Sequence, residues 1–189
     1  MPKKPARRPG QVIGIRPLKL AHRNGVSLSV AGGDMSDDRQ YLRERVMKLL
    51  ARREHSRLEL WRKLERSTEN GDLLAEVLDE LAGEGWQSDE RFAESFSRQR
   101  IEAGYGPLRI RSELEQRGVS GDSQALTELV EDDWVSMARE QREKRFGREA
   151  PVEWKEKGRQ GRFLAQRGFS RSHIEKALAM TPDDGLPTD

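Results

Sequence analysis

The 189-residue chain is 34% hydrophobic and 36% charged at a formal net charge of +2, too lean in apolar residues for one large compact core. It has no cysteine, which excludes disulfides and thiolate metal sites and gives no indication of an oxidising compartment. No apolar run is long enough to cross a bilayer, and the start Met1-Pro2-Lys3-Lys4-Pro5 lacks a secretory apolar stretch, so a cytoplasmic protein without membrane contact is expected.

Residues 1–36 are expected to form a basic, flexible N-terminal extension. Residues 1–23 hold seven bases (Lys3, Lys4, Arg7, Arg8, Arg16, Lys19 and Arg23) and no acid, leaving 28 bases against 33 acids in residues 24–189. Such an arm suits salt-sensitive attraction to nucleic acid or an acidic protein, and equally suits a solubilising extension. Two short apolar runs, Val12 to Ile15 and Val26 to Val30, flank Asn24-Gly25, a pair suited to a transient hairpin turn.

A helical period begins at Asp37. In residues 37–86, Leu42, Val46, Leu49 and Arg53 share one helical face, and Ser56 with Glu59 predicts a capping box for a second helix ending near Arg66. After a turn at Asn70-Gly71, Leu74, Val77, Leu78 and Leu81 make an amphipathic third helix stopped by Gly83 and Gly85. In residues 87–131, Ser88 is the N-cap of a helix with Asp89 and Glu90 in its first turn and Phe92 and Phe96 on its buried stripe. Gly104-Tyr105-Gly106 turns the chain into a helix that opens on Pro107, runs through Ile110 and Leu114, and ends at Gly118. Asp122 or Ser123 starts the next, with Ala125, Leu126, Leu129 and Val130 facing inward. Residues 132–180 repeat the scheme: Trp134, Val135 and Ala138, a turn near Phe146-Gly147, a helix from about Val152 to Arg167 carrying Phe163 and Leu164, and a last helix with Ile174, Ala177 and Leu178. Residues 181–189 are a C-terminal tail.

These segments echo one another. Leu114, Gln116, Arg117, Gly118, Val119 and Ser120 return fifty residues later as Leu164, Gln166, Arg167, Gly168, Phe169 and Ser170; fifty residues earlier stands Leu64, followed by Ser67 and Thr68 where glycine would continue the phrase. Phe92 lies twelve residues before Gly104, and Val135 twelve before Gly147. Fixed-period similarity marks a repeat architecture whose units bury their apolar faces on neighbours. The expected fold is all-α, an elongated array of three tandem three-helix repeats.

Little in this array suggests chemistry. His22, His55 and His173 fall in three regions without metal-site spacing, and His55 and His173 read as solvated helix-end residues. Gly104 to Gly106 lacks the following Gly-Lys-Ser or Gly-Lys-Thr of a phosphate loop. Asp89-Glu90 and Asp132-Asp133 sit at helix starts, where capping explains them better than acid–base work. No catalytic residue, metal or cofactor is expected. Glu44–Lys48, Glu59–Lys63, Glu94–Arg98, Glu113–Arg117 and Glu140–Lys144 are i,i+4 pairs, which leaves Arg62, Arg109, Arg111, Arg159 and Arg162 as unpaired bases on the middle helices. Trp61, Trp86, Trp134 and Trp154 read as packing residues, and Tyr105 as the exposed aromatic.

One ordered set of phrases carries a resemblance: Ala51-Arg52-Arg53-Glu54-His55-Ser56 leading to Glu59-Leu60 and Leu64, then Asp89-Glu90-Arg91-Phe92-Ala93, then Gly104-Tyr105-Gly106-Pro107 leading to Ile110, Leu114 and Gly118. In order and spacing it resembles the bacterial RecX regulatory family over roughly residues 40–180. The resemblance implies a non-enzymatic modulator that binds the RecA recombinase and lies in the groove of its filament on single-stranded DNA. There it would hinder filament growth, ATP hydrolysis, strand exchange and co-protease activity, and so modulate DNA repair and the SOS response.

A monomer with weak direct DNA binding is expected. From position and charge, the partner surface is expected at Arg62, Lys63, Arg109, Arg111, Arg117, Arg162 and Arg167, with Tyr105 at the turn; Phe92, Phe96, Leu64 and Leu114 are expected to be structural. An independent helix-turn-helix DNA-binding module and a helical scaffold for another protein stand as alternatives.

Overall fold

A computed structural model of the chain describes residues 35–179; the hairpin expected around Asn24-Gly25, most of the basic extension and the C-terminal tail lie outside the described residues. The described residues are helical, with no strand among them: α1 (Met35–Leu50), α2 (Arg57–Leu64), a 3-10 turn over Glu65–Ser67, α3 (Gly71–Gly83), α4 (Asp89–Glu102), α5 (Pro107–Glu115), α6 (Gln124–Thr127), α7 (Glu131–Phe146), α8 (Trp154–Gln166) and α9 (Arg171–Ala179). The extensive helix–helix contacts fall within the triplets α1–α3, α4–α6 and α7–α9.

The ends of these helices follow local chemistry. Ser56, in extended backbone, accepts the Glu59 N–H through its Oγ, and Asn70 and Ser88 cap α3 and α4 in the same way by accepting from Leu73 N and Arg91 N. Only half of the expected capping box forms, because the Glu59 carboxylate turns outward to Arg53 and Arg117. Arg53 therefore does not extend the face of Leu42, Val46 and Leu49. The chain leaves α1 after Leu50, and Arg53 lies exposed in the following turn.

The helices bury two apolar clusters. Leu42, Val46, Leu60, Leu64, Leu73, Leu74, Val77, Leu78 and Leu81 close the first triplet on itself. A second cluster runs without a break from Phe92, Ile110 and Leu114 through Leu126 and Trp134 to Leu164, Phe169 and Ala177, so the second and third triplets share one core. The leaning of neighbour on neighbour expected of repeats is thus apolar at the second joint and largely polar at the first.

One expected core position is exposed and two are only partly covered. Val130 is 62% exposed because α6 is a single turn and Val130 instead begins α7, its N–H donating to Asp133 Oδ2 at 3.0 Å. Leu129 and Phe96 pack against the second cluster but are only half-buried, and the guanidinium groups of Arg117 and Arg100 lie 4.6 and 5.0 Å from the Phe96 ring centroid. Of the tryptophans, Trp134 is buried and Trp61 half-buried, whereas Trp86 and Trp154 are exposed.

Candidate functional site

The repeated Arg-Gly phrase builds the joints between triplets. At the end of α5, Val119 N donates to Leu114 O and Gly118 N to Glu115 O; at the end of α8, Phe169 N donates to Leu164 O and Gly168 N to Ala165 O. This is the glycine-terminated helix end that the fifty-residue echo encodes, and Gly118 and Gly168 take left-handed φ values of 75° and 90°. Each turn then docks on the start of the middle helix of the preceding triplet. Ser56 Oγ donates to Arg117 O at 2.8 Å, and Gly106 N donates to Arg167 O at 2.8 Å, with Leu108 N donating to Gly168 O at 3.1 Å. At the corresponding place in the first triplet, Thr68 has an extended φ of −143°.

The candidate partner residues fall into two groups around these joints. Arg62 Nη1 reaches Gln116 O at 3.2 Å, and Arg117 pairs with Glu59 at 3.4 Å. One joint further on, Arg109 Nη1 reaches Gln166 O at 3.0 Å, and Arg167 Nη1 donates to Ala103 O and Gly104 O at 3.2 and 3.1 Å. Arg109, Arg100 and Arg167 surround the Tyr105 ring at 4.5, 5.2 and 5.6 Å from its centroid. Tyr105 is accordingly half-buried rather than exposed. Lys63 and Arg162 are exposed and carry no ion pair among the described residues, while Arg111 stands 3.6 Å from Asp122.

Several bases expected to be unpaired are paired: Arg109 with Glu113, Arg111 with Asp122, and Arg159 with Glu156. The i,i+4 pairs Glu94–Arg98 and Glu140–Lys144 form. Glu113 instead takes Arg100 and Arg109, and Glu59 takes Arg53 and Arg117. Asp89 also reaches beyond its own helix: Oδ1 accepts Arg57 N and Gln87 Nε2, both at 2.8 Å, placing one carboxylate at the starts of α2 and α4. Sequence spacing holds no signal for Glu59–Arg117 and Asp89–Arg57, whose partners come from the neighbouring triplet.

Both described histidines are buried rather than solvated. His55 Nδ1 donates to Arg53 O at 3.0 Å, and burial holds the imidazole below its ordinary pKa of 6.5. In α9, Ser170 N donates to His173 Nδ1, and Nε2 faces Glu131 Oε2 at 2.9 Å. Hydrogen bonds from Ser172 above all, and then from His173 and Lys176, lower the Glu131 pKa from 4.5 to about 2. A carboxylate depressed on folding adds stability that is complete above its unfolded pKa and is lost as pH falls toward the folded one. The difference in urea midpoint between wild type and Glu131→Gln should therefore be full at neutral pH and shrink as pH falls from 4.5 toward 2. A difference that stays constant across that range contradicts the network.

Among the described residues no group of three or more histidine or carboxylate side chains could hold a metal ion, and no helix is long and apolar enough to cross a membrane. An open cleft of about 850 Å³ along α4 is lined by Glu54, Glu90, Glu94, Arg98 and Asp122, among others. Its carboxylates Glu54 and Glu94 are already engaged by Arg91 and Arg98.

The comparisons with known proteins agree with this geometry. The family model of the second three-helix domain of RecX matches residues 88–124, and that of the third matches residues 131–178. The "Regulatory protein RecX" of Halorhodospira halophila is 44% identical over 146 residues, covering 76% of this chain and 89% of that protein. The chain belongs to the RecX family. Its RecX relatives include those of Pseudomonas entomophila, 44% identical over 139 residues (73% of this chain, 90% of the relative), and Chromobacterium violaceum, 43% identical over 155 residues (82% and 100%). The crystal structure of RecX from Lactobacillus salivarius shares the fold, with a TM-score of 0.65 at 21% identity, covering 76% of this chain and 96% of that one.

Proposed function

We propose that the protein is a non-enzymatic regulator that binds RecA and its filament on single-stranded DNA, lies in the filament groove and restrains ATP hydrolysis, strand exchange and co-protease activity. The observation that carries this reading is the 44% identity to a RecX regulatory protein across most of both chains. By that restraint a cytoplasmic monomer modulates DNA repair and the SOS response. The joints supply the physical means. Units fixed in register by hydrogen bonds at their joints can touch successive protomers of a filament, and several weak contacts then act together through high local concentration.

Within the proposed partner surface, Lys63 and Arg162 are exposed without an ion pair among the described residues, and Arg62 and Arg111, each held by one contact to Gln116 O and to Asp122, can exchange it for a partner. Arg109, Arg117, Arg167 and Tyr105 act by setting the angle at which neighbouring units present them. Charge reversal at Arg62 and Lys63 should weaken co-sedimentation with RecA filaments on single-stranded DNA by about tenfold while leaving thermal melting close to wild type. Unchanged co-sedimentation overturns the placement of the surface; a wild-type protein that stays in the supernatant overturns the RecA assignment itself.

A further inference from the structure

The start of α8 is the counterpart of the places where α2 and α5 receive an Arg-Gly turn, and no described turn docks there. Val152 and Trp154 are 84% and 86% exposed, more than any other large apolar side chain among the described residues. The loop that presents them is held from below. Arg142 is fully buried and donates through Nη1 to Glu149 O at 2.7 Å and through Nη2 to Arg148 O at 3.1 Å. Pro151, in the same loop, is buried as well. The indole is thus displayed on a fixed backbone, and its ring lies outside the core.

Charge singles out the same place. Residues 144–162 carry seven bases and three acids, whereas the other described residues carry 21 bases and 26 acids. Around Trp154, the exposed Lys155, Lys157 and Arg162 have no ion pair among the described residues, and Arg159 lies against the Phe146 ring at 5.0 Å and pairs with Glu156. A rigid exposed aromatic face set in a cationic patch has the two elements that hold an unpaired nucleic-acid strand: a stacking platform for a base and cations for its phosphates. A duplex offers the phosphates but keeps its bases stacked on one another.

We propose that the start of α8 is a direct contact site for single-stranded nucleic acid, with Trp154 stacking on a base and Lys155, Lys157, Arg159 and Arg162 tracking the phosphates. The site acts on the strand itself and stands independently of the RecA assignment. It is tested with the full chain and no RecA, by anisotropy of a fluorescein-labelled oligothymidylate at about 50 mM salt. Trp154→Ala should weaken binding by about tenfold or more without changing thermal melting, since the ring is exposed. Arg159→Glu combined with Arg162→Glu should weaken it too and flatten its salt dependence, and unlabelled duplex of the same length should compete less well than single strand.

Wild-type affinity in Trp154→Ala, equal competition by duplex, or no binding by the wild-type protein each overturns the proposal. So does a Trp154→Ala protein that loses RecA inhibition at unchanged oligonucleotide affinity, because the indole would then dock on protein.

Discussion

Gly168→Ala is expected to destabilise the protein by about 2–5 kcal/mol, through a left-handed residue costing roughly 1–2 and a forced opening of the joint costing roughly 1–3. The structural reason lies in what the added methyl meets. At Gly168 a Cβ falls 2.2 Å from Arg109 Cβ and 2.5 Å from its backbone nitrogen, and φ is +90°. Backbone cannot swing aside, so the bonds from Gly106 N to Arg167 O and from Leu108 N to Gly168 O must lengthen together. Gly118→Ala is the matched comparison. Its φ is +75°, but the methyl meets only Leu58, at 3.0 Å from Cδ2 and 3.1 Å from Cβ, a contact relieved by a shift of a few tenths of an ångström; a cost of about 1–2 kcal/mol is expected. Urea unfolding followed by helical circular dichroism gives both values, and equal losses at the two positions contradict the joint geometry.

The second large effect is in the shared core. Phe92 is 2% exposed, within the cluster that joins the second and third triplets, and Phe92→Ala should cost about 3–5 kcal/mol. Phe96→Ala, one turn on, should cost about half of that, although its ring stacks on Phe92 at 5.6 Å. The guanidinium groups of Arg100 and Arg117 also lie against the Phe96 ring and contribute cation–π contacts worth roughly 0.5–1 kcal/mol each. A Phe96 variant as damaged as the Phe92 variant contradicts the half-buried placement.

The fold is legible in the sequence where a structural device fixes local spacing. The echo from Leu114 to Val119 and from Leu164 to Phe169 is legible because a glycine-ended helix needs its leucine, glycine and following apolar residue at set intervals. Ser56, Asn70, Ser88 and Pro107 mark helix starts for equally local reasons. What the turns dock on was not legible, because Ser56 meets Arg117 from sixty-one positions away.

The charged residues divide in the same way. Glu94–Arg98 forms within one helix as spacing predicts, while Glu59 and Glu113 are claimed by arginines outside the expected pairs. Phe96 and Val130 are less covered than periodicity predicts, because it says which face a residue shares and not whether another helix covers it. Burial of His55 and His173 likewise depends on neighbours from distant segments. Trp154 offered a weak signal in advance: it stands among Lys155, Lys157 and Arg159 rather than among apolar neighbours.

The most direct measurement is ATP hydrolysis by RecA from the same organism on single-stranded DNA, with this protein added at substoichiometric amounts. Strong inhibition by the full chain, retained when residues 1–34 are removed and diminished by Gly168→Ala, is the predicted result: the jointed helical units carry the activity, and their register matters. Hydrolysis that continues at its uninhibited rate in the presence of the full chain contradicts the account.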